Sequence, residues 1–250
     1  MKLSAVIITF NEERNLQRCI DSLKGVADEI IVIDSYSTDG TQKIAETFGA
    51  RFIQHAFEGH IQQKNVALTH ASFEWILSLD ADEALDETLR QSILTVKDSG
   101  NSDGYSMNRL TNYCGHWVKH CGWYPDTKVR LVRNGKARWT GINPHDRLEL
   151  TEDAKPQHLR GDILHYSYYT LDDHRKQIEY FGNIAARELF DRKKKITWLM
   201  VFAKVIAQFV KSYILKLGIL DGSAGWTISR MSAYATWRKY SKLKNLYREA

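Results

Sequence analysis

The sequence predicts an α/β fold, with a mostly parallel central sheet followed by a helical C-terminal extension. Two observations lead there. Over the first hundred residues, short apolar runs alternate with stretches of helical period, and from about Leu171 onward only the helical period remains. The runs Leu3–Phe10, Glu29–Asp34, Ala50–Gln54 and Phe73–Asp80 have strand length and read as buried strands. Between them, Glu12–Lys24, Asp39–Phe48, Gly59–His70 and Asp86–Lys97 carry helical patterns. Alternation of this length implies right-handed crossovers between parallel neighbours. After Ser99 the pattern changes. Tyr105–Leu110 and Lys128–Val132 read as strands flanking a loop rich in aromatics, His and Cys (Asn112–Asp126), and Ile163–Tyr168 reads as a last strand. The expected division is a body over residues 1–170 and a basic, amphipathic helical extension over 171–250, packed on the body, on a membrane surface, or on both.

Composition narrows the class. With 43% apolar and 26% charged residues over 250 positions, only 3 Pro, and no repeat or low-complexity linker, the chain is globular rather than disordered or modular. Three cysteines, Cys19, Cys114 and Cys121, make no disulfide framework and suit a reducing compartment. The N-terminal apolar run stops at Asn11-Glu12-Glu13-Arg14 and does not read as a secretion signal, so the cytoplasmic side is expected. The net charge of +5 is unevenly spread. Residues 187–250 hold 14 Lys/Arg against 4 Asp/Glu, while residues 1–186 are net acidic. Such a basic quarter suits anionic lipid, a phosphorylated acceptor or nucleic acid.

In open parallel sheets, ligands bind beyond the carboxyl ends of the strands. Three predicted strand ends are polar: Thr9-Phe10-Asn11-Glu12, Asp34-Ser35-Tyr36-Ser37-Thr38-Asp39-Gly40-Thr41, and Asp80-Ala81-Asp82-Glu83. Taken singly, Asn11 reads equally well as a helix N-cap, and Ser37, Thr38 and Asp39 as caps of the next helix. Asp34 follows four apolar residues and needs a partner at the core edge. Asp80 and Asp82, two apart, project to one side if the backbone is extended, and they repel unless a cation sits between them. Mg²⁺ or Mn²⁺ meets that need and leaves coordination positions for a diphosphate. A solvated acidic turn is the alternative for the pair alone. Three such ends on one sheet edge favour the metal site.

These segments, with Lys64-Asn65-Val66-Ala67, resemble the family 2 glycosyltransferases in order and spacing over residues 1–150. The resemblance implies a glycosyltransferase A-type nucleotide-binding fold, with residues 1–170 as the catalytic domain holding a UDP-sugar. It implies that Thr9, Asn11 and Glu12 line the nucleoside pocket, that Asp34 contacts the base, and that Lys64 lies near the nucleotide. Asp80 would face the ribose or the metal, and Asp82 would be the principal metal ligand. A general base must take the acceptor proton. The stretch Tyr124-Pro125-Asp126-Thr127-Lys128-Val129-Arg130 resembles the family's acidic pair followed by Arg, with Pro125 where the first acid stands. It points to Asp126, with Asp146 as the alternative and neighbouring His145 as a further metal ligand. The Trp-Tyr-Pro-Asp stretch and Tyr213–Gly222 narrow the resemblance to the bacterial lipopolysaccharide inner-core β-1,4-glucosyltransferases. That implies inverting, metal-dependent transfer of glucose from UDP-glucose to a heptose of the lipopolysaccharide core. Another UDP-sugar or envelope glycan is the alternative, and a non-catalytic membrane- or nucleic-acid-binding module the remaining one. No nucleic-acid partner is expected.

Two further patterns remain. Cys114-Gly115-His116 and His120-Cys121 bracket only three residues, tight for a structural zinc, and the aromatics around them suit an acceptor loop better. Ile196–Leu220 is 25 residues long, enough to span a bilayer, yet it contains Lys204, Lys211 and Lys216. Thr197, Lys204, Gln208 and Lys211 form one polar stripe, so a helix lying in the plane of an anionic membrane surface is expected, or else one packed on the protein's own core. The former implies peripheral attachment at the inner face of the bacterial inner membrane.

Overall fold

The computed structural model describes residues 1–249 except Asn101, Asn143, Pro144, Glu152 and Asp153, and leaves the side chains of Ser99, Ile142 and His145 undescribed. The chain forms two compact units. The first comprises Met1–Arg109 with Asp126–Tyr166, the second Leu110–Pro125 with Ser167–Ala250.

The first unit is built on β1 (Leu3–Thr9), β2 (Glu29–Asp34), β3 (Arg51–Gln54) and β4 (Trp75–Asp80), joined by α1 (Leu16–Leu23), α2 (Thr41–Thr47) and α3 (His60–Thr69). These four strands are parallel, in the order β3-β2-β1-β4. The uninterrupted apolar runs follow from burial on both faces. Leu3, Ala5 and Ile7 pack with Leu16, Cys19, Ile20 and Leu23 of α1, while Val6, Ile31, Ile33 and Ile76 pack with Ala67 of α3. The parallel half of the sheet and its helical crossovers are as the apolar periodicity predicts.

Beyond β4 the sheet turns antiparallel. Next come β5 (Glu83–Leu85), α4 (Glu87–Ser99), β6 (Gly104–Tyr113), β7 (His116–Val118) and β8 (Asp126–Arg133). β8 pairs with β4 and with β6, and β11 (Gln157–Tyr168) pairs with β5. α4 starts at Asp86, whose carboxylate accepts the Leu89 N–H at 2.6 Å. Gly161 at φ +96° passes so close that a Cβ there would lie 2.2 Å from Leu89 N, so only glycine fits. A hairpin not anticipated from sequence, β9 (Ala137–Ile142) and β10 (His145–Leu150), places Trp139 and Leu148 on the core cluster that holds Ala67 and Val132. Each of its strands shows only one or two apolar residues to the core, too few to register as a run.

The second unit contains α5 (Leu171–Asp191), α6 (Trp198–Val210) and α7 (Gly222–Glu249). Thr170 and Asp173 cap α5 reciprocally. Arg238 and Lys242 of α7 pair with Glu179 of α5. Tyr113, Trp123, Tyr168 and His174 form an aromatic cluster in which Tyr113 is buried, its hydroxyl 2.9 Å from His174 Nδ1. Tyr113 is therefore a core residue rather than a face for stacking a sugar. His120 and the Lys119 and His120 amides turn to Asp221, and the buried Cys121 sulfur faces Gly225 O at 3.7 Å. The Cys/His loop is thereby tied to the start of α7.

The apolar stretch 196–220 is not one helix. α6 gives way to a π-helical turn at Lys211–Leu215, Leu217 is left-handed at φ 54°, and a 3-10 turn follows at Gly218–Asp221. Close packing explains the break. A Cβ on Gly225 would lie 1.7 Å from Gly218 O, so α7 rests directly on the backbone of this turn.

Candidate active site

The register of the parallel strands brings the polar ends together, with Thr9 opposite Asp34 and Ile8 opposite Asp80. Above them opens a cleft of about 300 Å³, lined by Thr9, Phe10, Glu12, Ser35, Asp82 and His165 among others. A second cavity of about 580 Å³ is lined by Lys64, Arg109, Lys128, Arg130, Trp139 and Asp146 among others. Asp80 lines both. Thr9, Glu12, Asp80 and Asp82 thus share one cleft, and Lys64 and Asp146 share the other with Asp80.

Asn11 and Asp34 act one step back from the cleft. Asn11, at φ 54°, does not cap α1, which starts at Leu16. Its Oδ1 accepts the Thr38 N–H at 2.8 Å. Asp34 is fully buried and accepts from the Ser37 N–H at 2.8 Å and the Ser37 hydroxyl at 2.5 Å. That answers the requirement for a partner at the core edge. Asp34 orients the segment that presents Ser35, and it does not itself line the cleft.

The Asp80/Asp82 geometry differs from the sequence expectation in its cause. β4 ends at Asp80, and Asp82 sits in the turn before β5, so the two carboxylates do not share one face of an extended strand. They line the same cleft from the strand end and from the turn that follows it. The protein also supplies a side-chain partner to each. Lys64 Nζ lies 3.0 Å from Asp80 Oδ1, and Arg130 lies 3.7 Å from Oδ2. Burial pushes the Asp80 carboxyl up, but Lys64 and Arg130 outweigh it and hold Asp80 well below the usual carboxylate range. Asp82 lies 3.2 Å from His165 Nε2; burial again raises its carboxyl, and His165 brings it below the ordinary value.

His165 escaped the sequence reading. It lies on β11, opposite Glu83 of β5, so a strand pair carries it to the acidic turn. The signal in sequence is slight, a single polar residue following Ile163-Leu164. Among the described residues, no group of three or more His, Cys, Asp or Glu gathers as a metal cluster. The donor set nonetheless suits a hard or borderline divalent ion. Asp82 and His165 offer oxygen and nitrogen at the cleft, and buried Asp80 Oδ1, though close to Lys64, accepts no hydrogen bond among the described residues. The side chain of His145 lies outside the described residues.

Glu83 organises the floor and was also missed as a site residue. It is 1% exposed, pairs with Arg130 at 2.8 Å and Arg109 at 3.5 Å, and accepts the Asp80 N–H at 3.0 Å. Arg130 is 2% exposed, and its Nε and Nη1 have no hydrogen-bond partner among the described residues. Glu83→Ala would leave this guanidinium buried without its nearest carboxylate. We expect a loss of about 3–5 kcal/mol, read as a lower urea midpoint.

The two candidate bases differ in setting. Asp126, at the start of β8, accepts from Arg109 Nε (3.0 Å) and Nη2 (2.8 Å), with Lys128 at 2.9 Å. Burial raises its carboxyl, and Arg109 and Lys128 more than offset that, so it is held below the ordinary value. Asp146, on β10, accepts from Lys64 at 2.7 Å. Lys64 therefore bridges Asp80 and Asp146, and it also stands 4.4 Å above the Trp139 ring.

Glu12 is the opposite case. Burial raises it to about 7, against a lowering hydrogen bond from Asn15 and with further raising by Asp82, Asp39 and Asp80. A raised carboxyl favours the folded state when protonated. Its contribution is complete below the unfolded value of 4.5 and is lost as pH rises through about 7. We expect stability to fall between pH 5 and pH 8 by about 2 kcal/mol from this group, after allowing for its partial exposure. Glu12→Gln should remove that slope in urea titrations at the two pH values.

Residues 4–194 match the family described as Glycosyl transferase family 2. The chain belongs to that family. The transferase is 30% identical over 256 residues to an uncharacterized glycosyltransferase of Rickettsia typhi, covering 98% of this chain and 87% of the relative. It is 28% identical over 234 residues to a lipopolysaccharide core biosynthesis glycosyltransferase of Rhizobium meliloti, covering 89% and 82%. Glucosyl-3-phosphoglycerate synthase from Mycobacterium tuberculosis, solved with Mn²⁺ and UDP, aligns over 44% of each chain at 22% identity. The TM-score of 0.38 is too low for that likeness to carry an argument. The family and the sugar-transferring activity expected from the strand-end motifs are borne out.

Proposed function

We propose that the transferase moves glucose from UDP-glucose to a heptose of the lipopolysaccharide inner core, with inversion, at the inner face of the cytoplasmic membrane. The observation that carries this reading is the pair of cavities meeting at Asp80, one carrying Glu12, Asp80 and Asp82 at the strand ends, the other basic and lined by Trp139. In it, the nucleotide occupies the cleft of Thr9, Glu12 and Ser35, with Asn11 and Asp34 fixing the segment that presents Ser35. The acceptor enters beside Lys64, Trp139 and Asp146.

Asp82, His165 and Asp80 would hold Mg²⁺ or Mn²⁺. When bound, the ion neutralises charge building on the departing diphosphate. The acceptor hydroxyl oxygen forms the new bond to the anomeric carbon, and the bond to UDP breaks with its electron pair leaving on UDP. Asp126 takes the hydroxyl proton, and Arg109 and Lys128 keep that carboxylate ionised and oriented. A second reading gives the proton to Asp146, favoured by its place on the lining of the Asp80 cavity.

The test is incubation with a panel of UDP-sugars, Mg²⁺ or Mn²⁺, and heptose-containing truncated lipopolysaccharide, reading UDP release and product mass. Transfer of glucose to heptose supports the proposal. Activity only with another sugar or another acceptor overturns it.

A further inference from the structure

The second unit carries an apolar surface that the sugar-transfer chemistry does not use. Leu199 is 80% exposed, Leu215 71%, and Ile206 and Leu220 64% each, with Phe202 and Ile214 also open. Trp198–Leu215 is long and apolar enough to cross a membrane, yet only 11% of that window is buried. So many exposed large apolar side chains within one short segment mark an interaction surface rather than ordinary surface chemistry.

Its layout excludes a simple crossing. Leu199, Phe202 and Ile206 recur at i, i+3 and i+7 and share one face of α6, whereas Lys204 lies on the opposite face. A third edge packs inward, with Val201 fully buried and Ser212 nearly so. The chain then reverses at left-handed Leu217 and Gly218 rather than continuing along the axis. Cations border the patch. Arg192–Lys195 precede it and are exposed. Beside them a groove of about 470 Å³ is lined by Lys195, Trp198, Lys244 and Arg248, with Lys244 Nζ 5.1 Å over the Trp198 ring. Open aliphatic side chains edged by a half-exposed tryptophan and by lysines match the layers of an anionic bilayer surface: acyl chain, interface, then phosphate.

We propose that the segment 198–220 embeds its apolar face in one leaflet of an anionic phospholipid bilayer, lying in the plane, with the Lys195–Lys244–Arg248 groove seated against headgroup phosphates. The attachment is monotopic and largely hydrophobic, so salt does not release it. This deepens the membrane placement proposed above by naming the embedded face, and it does not depend on which sugar or acceptor is used.

The test uses the full-length protein and vesicles of phosphatidylglycerol and phosphatidylethanolamine, with phosphatidylcholine vesicles as the uncharged arm. The protein should co-sediment with the anionic vesicles and stay bound in about 1 M salt, where charge interactions reach only ~3 Å. The double variant Leu199→Glu, Ile206→Glu changes exposed positions and should fold normally. It should bind about a hundredfold more weakly. Lys195→Gln with Arg248→Gln should lower the preference for anionic over uncharged vesicles while sparing salt resistance. As a readout free of folding effects, brominated lipids should quench wild-type fluorescence more than that of Trp198→Phe. Failure to co-sediment, release by salt, or equal binding of the Glu variant overturns the proposal. So does a vesicle-free dimer that the Glu variant abolishes, which would assign the face to a second copy. UDP release with a lipid-free oligosaccharide acceptor should be unchanged in the Glu variant; loss there would reflect on the catalytic reading instead.

Discussion

Asp82→Ala should lower turnover on the order of a thousandfold and abolish the dependence of UDP binding on Mg²⁺ or Mn²⁺. The size follows from the role proposed for the carboxylate. The departing diphosphate gathers negative charge in a cleft already lined by Glu12, Asp80 and Asp82, and without a cation that charge meets like charge. The fold should survive, because Asp82 lies in a turn and its hydrogen-bonding partner, His165, stands on the same rim of the cleft. His165→Ala should act in the same direction and more weakly, since Asp82 and Asp80 would remain. Initial rates of UDP release across a metal titration, with calorimetric UDP binding, separate loss of the ion from loss of the nucleotide. Wild-type rate and metal response in Asp82→Ala would refute the metal assignment.

Asp126→Asn should reduce kcat by about 10²–10⁴-fold while UDP binding stays near the wild-type value. A base acts only when the acceptor hydroxyl attacks, so its removal is invisible to donor binding. Asp126 is paired with Arg109 and Lys128, which hold its carboxyl below the ordinary range. It therefore stays ionised to lower pH than a free aspartate, and the acid limb of the kcat/KM profile should fall below the usual carboxylate range. If Asp146→Asn loses turnover with donor binding intact and Asp126→Asn does not, the base is Asp146. Loss in both, with Asp146→Asn also weakening acceptor binding, would keep Asp126 as base and make Asp146 an acceptor contact.

The parts of the site that sequence made legible are those set by local repetition. Two-faced burial forces continuous apolar runs, so β1, β2 and β4 and their polar ends Thr9, Asp34 and Asp80 stand out without any long-range information. What sequence hid was which residues meet, because that is set by distant pairing. His165 reaches Asp82 through β11 against β5, and Trp139 and Asp146 reach Lys64 through the β9–β10 hairpin. No spacing rule connects residues so far apart along the chain. Nor did spacing reveal that Asp34 would be sealed by Ser37, or that the stretch 196–220 would break at Leu217, because both depend on what packs against them. Gly218 and Gly225 carried a faint sign of that break, since two backbones can approach this closely only where side chains are missing.

The position of Lys64 has a consequence for the order of events. Its single ammonium answers to Asp80 on one side and Asp146 on the other. A ligand that draws Asp80 away leaves more of that charge to Asp146, and a ligand that engages Asp146 leaves more to Asp80. If the two cavities take donor and acceptor as proposed, sites that share one cation should not fill independently. By thermodynamic linkage the coupling is reciprocal, so each substrate should alter the affinity for the other by the same factor, and Lys64→Met should uncouple them. On that assignment the ammonium would act as a tally between two half-sites, letting an enzyme of this size sense whether both partners are present.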